Sequence, residues 1–391
     1  PAAVLPAIIA TLHITDGQAG SLQTLFIYTY SVVSLAAGWL GDRYPRFRLA
    51  AIGVFVWSVA TFGSGLAPTF ALLMAARALT GVGEASYTVV TPSLLSDFYP
   101  ADRRGRVLAI FYAAIPVGSA VSYILSGQIE KHLGWRWAFF VAGVPGIVLA
   151  MALLFLRDPP RGALDPVLSH RPAPLPGGGR PSLRASLHEL FRRPSFIYNT
   201  AGQTIYTFVI GGLATWMPTY FVRVRHLPLA EADRSFGIVL LLAGFLGTLA
   251  GGRLGDRLAA RRADGHFLIS GWALVASLPF TLLALLSPTP AIFWPSMFVT
   301  LALLFLNTGP LNAAMANVLP ASVRGIGFAV NTAAIHVLGD GASPKLIGMA
   351  SDRFGLAMPV LITGSILVLA GIVLLAGRRA LVRDLEEAAA A

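Results

Sequence analysis

Gly38-Trp39-Leu40-Gly41-Asp42-Arg43 recurs further along the chain as Gly252-Arg253-Leu254-Gly255-Asp256-Arg257, and Pro100-Ala101-Asp102-Arg103-Arg104-Gly105 recurs as Pro320-Ala321-Ser322-Val323-Arg324-Gly325. The displacements, 214 and 220 residues, are nearly equal, so both motifs belong to one duplicated unit. Around them run apolar segments of about the 20 residues needed to cross a bilayer as a helix. They fall near 1–12, 19–40, 49–67, 69–96, 105–128, 136–156, 197–221, 234–255, 266–287, 291–318, 324–349 and 357–377. The first is too short to span and lacks the basic start of a signal peptide, so it reads as the second half of a helix. Twelve spans, six on each side of a polar interruption, make two parallel repeats related by an axis along the membrane normal. In that arrangement a substrate cavity lies between halves that rock.

Composition agrees. Of 391 residues, 55% are hydrophobic and only 12% charged, which excludes an ordinary soluble domain. Backbone amides in hydrocarbon need internal partners, and apolar runs of this length satisfy them as helices rather than as alternating barrel strands. The 40 glycines and 26 prolines suit close packing and broken turns within a membrane. There is no cysteine, which excludes disulfides, thiolate metal sites and a cysteine nucleophile. No metal-ligand cluster or nucleophile-base motif points to an enzyme. The net charge of +11 raises nucleic acid as a partner, but the arginines lie in short clusters between apolar runs rather than in one stripe.

That clustering encodes topology. With both termini in the cytoplasm, 21 of the 29 basic residues fall on the cytoplasmic side. Arginine far outnumbers lysine, which occurs only at Lys131 and Lys345; this hints at a GC-rich bacterial genome and hence at an inner membrane. The expected units are a first bundle over 1–156, a cytoplasmic linker over 157–195, a second bundle over 196–378 and a tail over 379–391. Arg157-Asp-Pro-Pro-Arg161 and Pro174-Leu-Pro-Gly-Gly-Gly-Arg180-Pro181 mark the linker as non-helical. Its last part places Leu183, Leu187, Leu190 and Phe191 on one face, which suits either a short surface helix or a partly ordered basic tether.

In the first repeated motif, Asp42 is placed to accept the free amides at the start of a neighbouring helix, where the dipole favours a carboxylate. Arg43 and Arg46 are then free to pair with Asp97 at the cytoplasmic end of the fourth span, and Asp256 and Arg257 repeat the arrangement. The cluster reads as a latch that holds one conformation, or as arginines that only anchor orientation.

Arg77-Ala-Leu-Thr-Gly81-Val-Gly83-Glu84-Ala-Ser-Tyr87 puts two ionisable residues inside an apolar span, each costing roughly 2.5 kcal/mol or more on insertion scales. Seven residues apart, they share a helix face and are separated by about 10 Å of rise. Desolvation favours the acid form of Glu84, and a nearby cation or substrate charge favours proton release, which is the behaviour of a proton-linked carrier. The alternative is structural, with Arg77 held by an acid elsewhere and Glu84 held by hydroxyls. Gly81 and Gly83 serve helix packing rather than phosphate binding. His336 and Asp340, one turn apart, form a second titratable pair or a packing histidine with its hydrogen-bond partner.

These motifs resemble the major facilitator superfamily over essentially the whole chain, with Pro45 standing where its signature has glycine. The run Gly83-Glu84-Ala85-Ser86-Tyr87, then Pro92, Asp97, Arg104-x-Arg106, Phe111-Tyr112-Ala-Ala-Ile-Pro116-Val-Gly118-Ser119 and Gly134-Trp-Arg-Trp-Ala-Phe-Phe, closely resembles the spinster family. The resemblance implies a proton-coupled carrier of amphiphilic lipids, since eukaryotic members are associated with sphingosine phosphate and lysophospholipids. It also implies that Arg77 and Glu84 are the central polar pair, with Tyr87, Tyr112 and Ser119 in the matching runs as further coupling or substrate candidates. The family's acid-base pair in the first span would fall before Pro1.

Pro116-Val-Gly118 is a weak form of an antiporter signature and leaves the direction of coupling open. The expected partners are membrane lipids, a small amphiphilic substrate and protons, with no nucleic acid, no cofactor beyond a proton gradient, and a monomeric chain. An organic-anion carrier and a non-transporting receptor are the rival readings.

Overall fold

The chain is described by a computed structural model that covers residues 1–99, 101–159 and 183–390, and among them all regular structure is helical. The first half contains α1 (Leu5–Leu12), α2 (Asp16–Arg43), α3 (Arg46–Leu66), α4 (Phe70–Phe98), α5 (Ala101–Leu133) and α6 (Trp135–Leu154). After the linker helix α7 (Leu183–Phe191) come α8 (Pro194–Arg223), α9 (Leu229–Ala259), α10 (Gly265–Leu286), α11 (Pro290–Phe305), α12 (Thr308–Val318) and α13 (Ala321–Ala334). A π-turn over Ile335–Asp340 leads into α14 (Ser343–Phe354), followed by α15 (Ala357–Ser365), α16 (Leu367–Ala376) and α17 (Arg378–Ala390).

Eight segments among the described residues are long and apolar enough to cross a membrane. Two more, α4 and α5, have the length, at 29 and 33 residues, and α4 carries Arg77 and Glu84 within its span. α2, α5, α8 and α9 outrun the sequence-predicted spans, and in α2 a polar cap sets the start. The Thr15 side chain accepts from Gln18 N–H while Gln18 reaches back to the Thr15 amide, so α2 begins at Asp16.

Three predicted spans are interrupted. The amide of Asn307 donates to the carbonyls of Leu303 and Leu304 at 2.8 and 3.1 Å, which separates α11 from α12. Gly339 leaves the helical region, with ψ −108°, inside the π-turn between α13 and α14. At Ile366 the chain shifts from α15 to α16, a small adjustment within one span.

The duplication is visible in the backbone. Gly134 and Gly355, 221 residues apart, end α5 and α14 with φ of +84° and +74°, a conformation that disfavours a side chain. Within the first bundle, α4 packs closely on its neighbours. A Cβ at Gly81 would meet the Phe26 carbonyl of α2 at 2.5 Å, and one at Gly83 would meet the Gly53 carbonyl of α3 at 2.5 Å. The second bundle is filled by Phe267, Leu274, Leu304, Leu367 and Leu374, all fully buried. Polar side chains also tie it together: Asn199 donates to the Leu311 carbonyl, Gln203 to Asn199 and Asn331 to Gln203.

Of the two alternatives for the end of the linker, the short helix is the one present, and the polar segments on either side of the second bundle pack on it. The face of α7 packs on the second bundle, with Leu190 fully buried against Phe196, Met315, Leu319 and Val323, while Phe191 points outward. The residues expected as a tail form α17, whose Leu381 and Asp384 are each 1% exposed. Asp384 accepts from Ser195 N–H at 2.9 Å, and the Arg193 guanidinium spans Glu189 and the Val318 carbonyl. The linker helix, the start of α8 and α17 are therefore one packed unit.

The halves meet chiefly where α2 packs on α14 and α5 on α9, with further contacts of α1 on α8 and of α2 on the π-turn. Asp16 pairs with Arg223 at 2.7 Å and accepts from the Ser351 hydroxyl at 2.6 Å. Tyr123 donates to the Ala214 carbonyl at 2.7 Å and packs edge-on against Phe236. Between described residues, the last hydrogen bonds and ring contacts across the halves are Tyr28 to the Val337 carbonyl and Tyr30 against His336. The two halves are packed together at the Asp16 end.

Candidate functional site

Arg77 is 6% exposed, in the first third of α4. Its guanidinium lies 4.4 Å over the Phe26 ring and donates one hydrogen bond, 3.3 Å long, to Gln23 Oε1 of α2. Its Nε is buried without a partner. Glu84 is half-buried two turns further on, and its carboxylate makes no hydrogen bond or ion pair with a described residue. Both side chains line one cavity of about 260 Å³, together with Pro1, Trp57, Ser122 and Ser126. Arg77 is thus held by an amide and an aromatic face rather than by an acid, and Glu84 is not fixed by hydroxyls.

From Glu84 the polar surface continues toward the other half. The Thr88 hydroxyl is within hydrogen-bonding distance of both the Glu84 carbonyl, at 2.9 Å, and the Tyr30 hydroxyl, at 3.1 Å. Tyr30 in turn packs edge-on against His336, with ring centroids 5.9 Å apart. His336 Nδ1 lies 3.1 and 3.2 Å from the two carboxylate oxygens of Asp340. Both side chains are half-buried, His336 against Tyr30 of α2 and Asp340 beside Gly211 of α8. Gln23, Phe26, Tyr30 and Thr88 carry no motif, and only the three-dimensional approach of α2 to α4 and to the π-turn reveals them.

The remaining candidates separate. Tyr87 stacks obliquely between Trp57 and Phe111, at 5.9 and 6.0 Å, as part of an aromatic wall of α3, α4 and α5. Ser119 is half-buried on α5, and the side chains of Tyr112 and Asp42 lie outside the described residues. Arg46 is buried and pairs with Asp97 at 2.5 Å, within the first half. The carboxylate that receives the free amides at the start of α3 is that of Asp158, which accepts from Arg46 N–H and, at 2.8 Å, from Phe47 N–H. Arg43 folds back over the Trp39 ring at 4.0 Å. Asp256 and Arg257 are exposed and form no ion pair with a described residue. At that corner the ionic contact belongs to Asp264, bound by Arg262 and Arg378. Burial opposes ionisation of Asp264, but hydrogen bonds and charge from the two arginines prevail and hold its carboxyl below the usual range.

Comparison with known proteins decides the family. The profile of the Major Facilitator Superfamily matches residues 1–344. Human protein spinster homolog 1 is 37% identical over 372 residues, which cover 90% of this chain and 69% of the human protein. The Drosophila melanogaster protein spinster is 34% identical over 372 residues, 90% of this chain and 58% of its own length.

The chain belongs to the spinster family of the Major Facilitator Superfamily.

Its fold matches the crystal structure of a bacterial homolog to the human lysosomal transporter Spinster, in an inward-facing and unoccupied conformation. The TM-score is 0.85, with 21% identity and coverage of 98% of this chain and 94% of the other. A D-xylose-proton symporter gives a TM-score of 0.72 at 17% identity, covering 95% and 93%. The spinster fold is therefore that of an alternating-access membrane transporter, with several apolar spans and two pseudosymmetric bundles.

Proposed function

We propose that this spinster protein is a proton-coupled secondary transporter of a single-chain amphiphilic lipid, of lysophospholipid or sphingolipid type. The observation that carries this reading is the half-buried Glu84 carboxylate, which has no hydrogen bond or ion pair to a described residue and faces the same cavity as Arg77. An acid left unpaired inside a membrane bundle has a use for its proton. His336 and Asp340 form the second titratable pair, reached through Thr88 and Tyr30. Apolar and aromatic walls around few charges suit an acyl chain with a charged head. The proton gradient supplies the energy and no cofactor is needed. The chain works as a monomer in a bacterial inner membrane with both termini in the cytoplasm, so the closed Asp16 end faces outward.

A second reading, an organic-anion carrier, is favoured by one feature: Arg77 makes a single protein hydrogen bond and its buried Nε is unpaired, leaving donors for a carboxylate or phosphate. Competition for flux in proteoliposomes under an imposed pH gradient separates the two. Displacement by single-chain lipids but not by small organic acids supports the lipid, the reverse supports the anion, and no solute flux with either contradicts a carrier.

A further inference from the structure

The two contacts that close the Asp16 end are related by the internal repeat but differ in their electrostatics. Where α2 meets α14, the acids are matched: Asp16 has Arg223 and Ser351, and Asp352 has the amides of Asp16 and Gly17. Where α5 meets α9, Asp233 is fully buried and neither of its carboxylate oxygens has a hydrogen-bond partner.

Its surroundings offer nothing to hold a charge. The side chain presses on the bare backbone of Gly127 in the other half, where a Cβ would stand 3.0 Å from Asp233 Cβ and 3.1 Å from Oδ2. The Tyr123 hydroxyl is committed to the Ala214 carbonyl, and its ring is packed on Phe236. The charged side chain that bears on Asp233 is Glu130 of α5, which has the same sign. α11, also packed on α9, contributes no titratable side chain.

We infer that Asp233 is a proton-carrying gate residue: it holds a proton while α5 and α9 are packed together and releases it when this end opens to water. An ionised carboxylate without a partner is among the costliest groups to keep dry, whereas its neutral form tolerates the contact. Alternating access requires this contact to break and re-form, which exposes Asp233 to water once per cycle. The proton equilibrium at Asp233 is therefore tied to the opening step itself, whichever residue binds substrate. The sign is definite: the closed arrangement is favoured in acid and loses that preference as the pH rises.

The inference rests on the proton-coupled reading, yet its test needs no transported solute. Because the chain has no native cysteine, spin labels at Lys131→Cys and Glu231→Cys report the separation of the α5 and α9 ends without background. The parent, reconstituted in nanodiscs, should show a longer-distance component that grows several-fold between mildly acid and mildly alkaline pH. In Asp233→Asn, which cannot ionise, that growth should be lost, and at alkaline pH the variant should melt above the parent while matching it in acid. A parent distance that ignores pH, or an Asp233→Asn protein that opens with pH as the parent does, overturns the inference. Either result can occur with the Glu84 assay intact, so the two readings fail separately.

Discussion

Asp352 caps a helix of the opposite half: its two carboxylate oxygens accept the backbone N–H groups of Asp16 and Gly17 at 2.8 and 2.9 Å. Helix starts carry free amides and a partial positive charge, so a carboxylate there is doubly favoured. With Thr15 serving Gln18, the first turn of α2 is satisfied only when the halves are together.

Asp352→Ala should therefore weaken closure rather than folding. Loss of a helix cap costs about 1 kcal/mol, about a fivefold shift in the ratio of closed to open molecules. Distance measurements between labels on the ends of α2 and α14 should register the open fraction rising, with the melting temperature of each bundle little changed.

Gly20→Ala attacks the same contact by steric means. A Cβ there would stand 2.2 Å from the Pro344 carbonyl oxygen and 2.8 Å from Lys345 Cα, backbone atoms that cannot swing aside. Overpacking of this kind costs about 1–3 kcal/mol, and here the cost falls on the closed arrangement alone. Transport should drop while the purified protein remains monodisperse. Gly63→Ala, whose Cβ would meet nothing within 4 Å, should transport normally.

The sequence made much of this legible. Apolar runs and charge bias located the spans because lipid demands satisfied backbones and rejects unneeded arginines. The buried Arg77 and the open Glu84 stood out because charge inside an apolar run is expensive. The caps were not legible: Asp158 serving α3 and Asp352 serving α2 depend on residues 111 and 335 positions away from the amides they meet. Nor was Asp233, which sits in the predicted approach to a span and looks like an ordinary interfacial acid until Gly127 is seen against it.

The His336–Asp340 pair is the second coupling site of the proposed cycle, with Nδ1 3.1 Å from a carboxylate oxygen. His336→Gln should lower gradient-driven flux several-fold in folded protein. Unchanged flux assigns the pair to packing.

Asp264 ties the start of α17 to the α9–α10 corner through Arg378 and Arg262. A carboxyl held below its ordinary value of 3.8 stabilises the fold at all pH above that value, and the contribution disappears as the pH falls through the lower, folded-state value. Both arginines are partly solvent-screened, so Asp264→Asn should loosen α17 by no more than about 1 kcal/mol at neutral pH. Faster tryptic cleavage at Arg378 and Arg379 at neutral pH would register it.

The central claim is that Glu84 takes up and releases a proton as the two bundles exchange access. Its most direct test is lipid flux into proteoliposomes at several imposed pH gradients, comparing the parent with Glu84→Gln. The account predicts gradient-driven flux in the parent and, in folded Glu84→Gln protein, loss of the dependence on the gradient. Parent-like, gradient-driven flux in Glu84→Gln would contradict it.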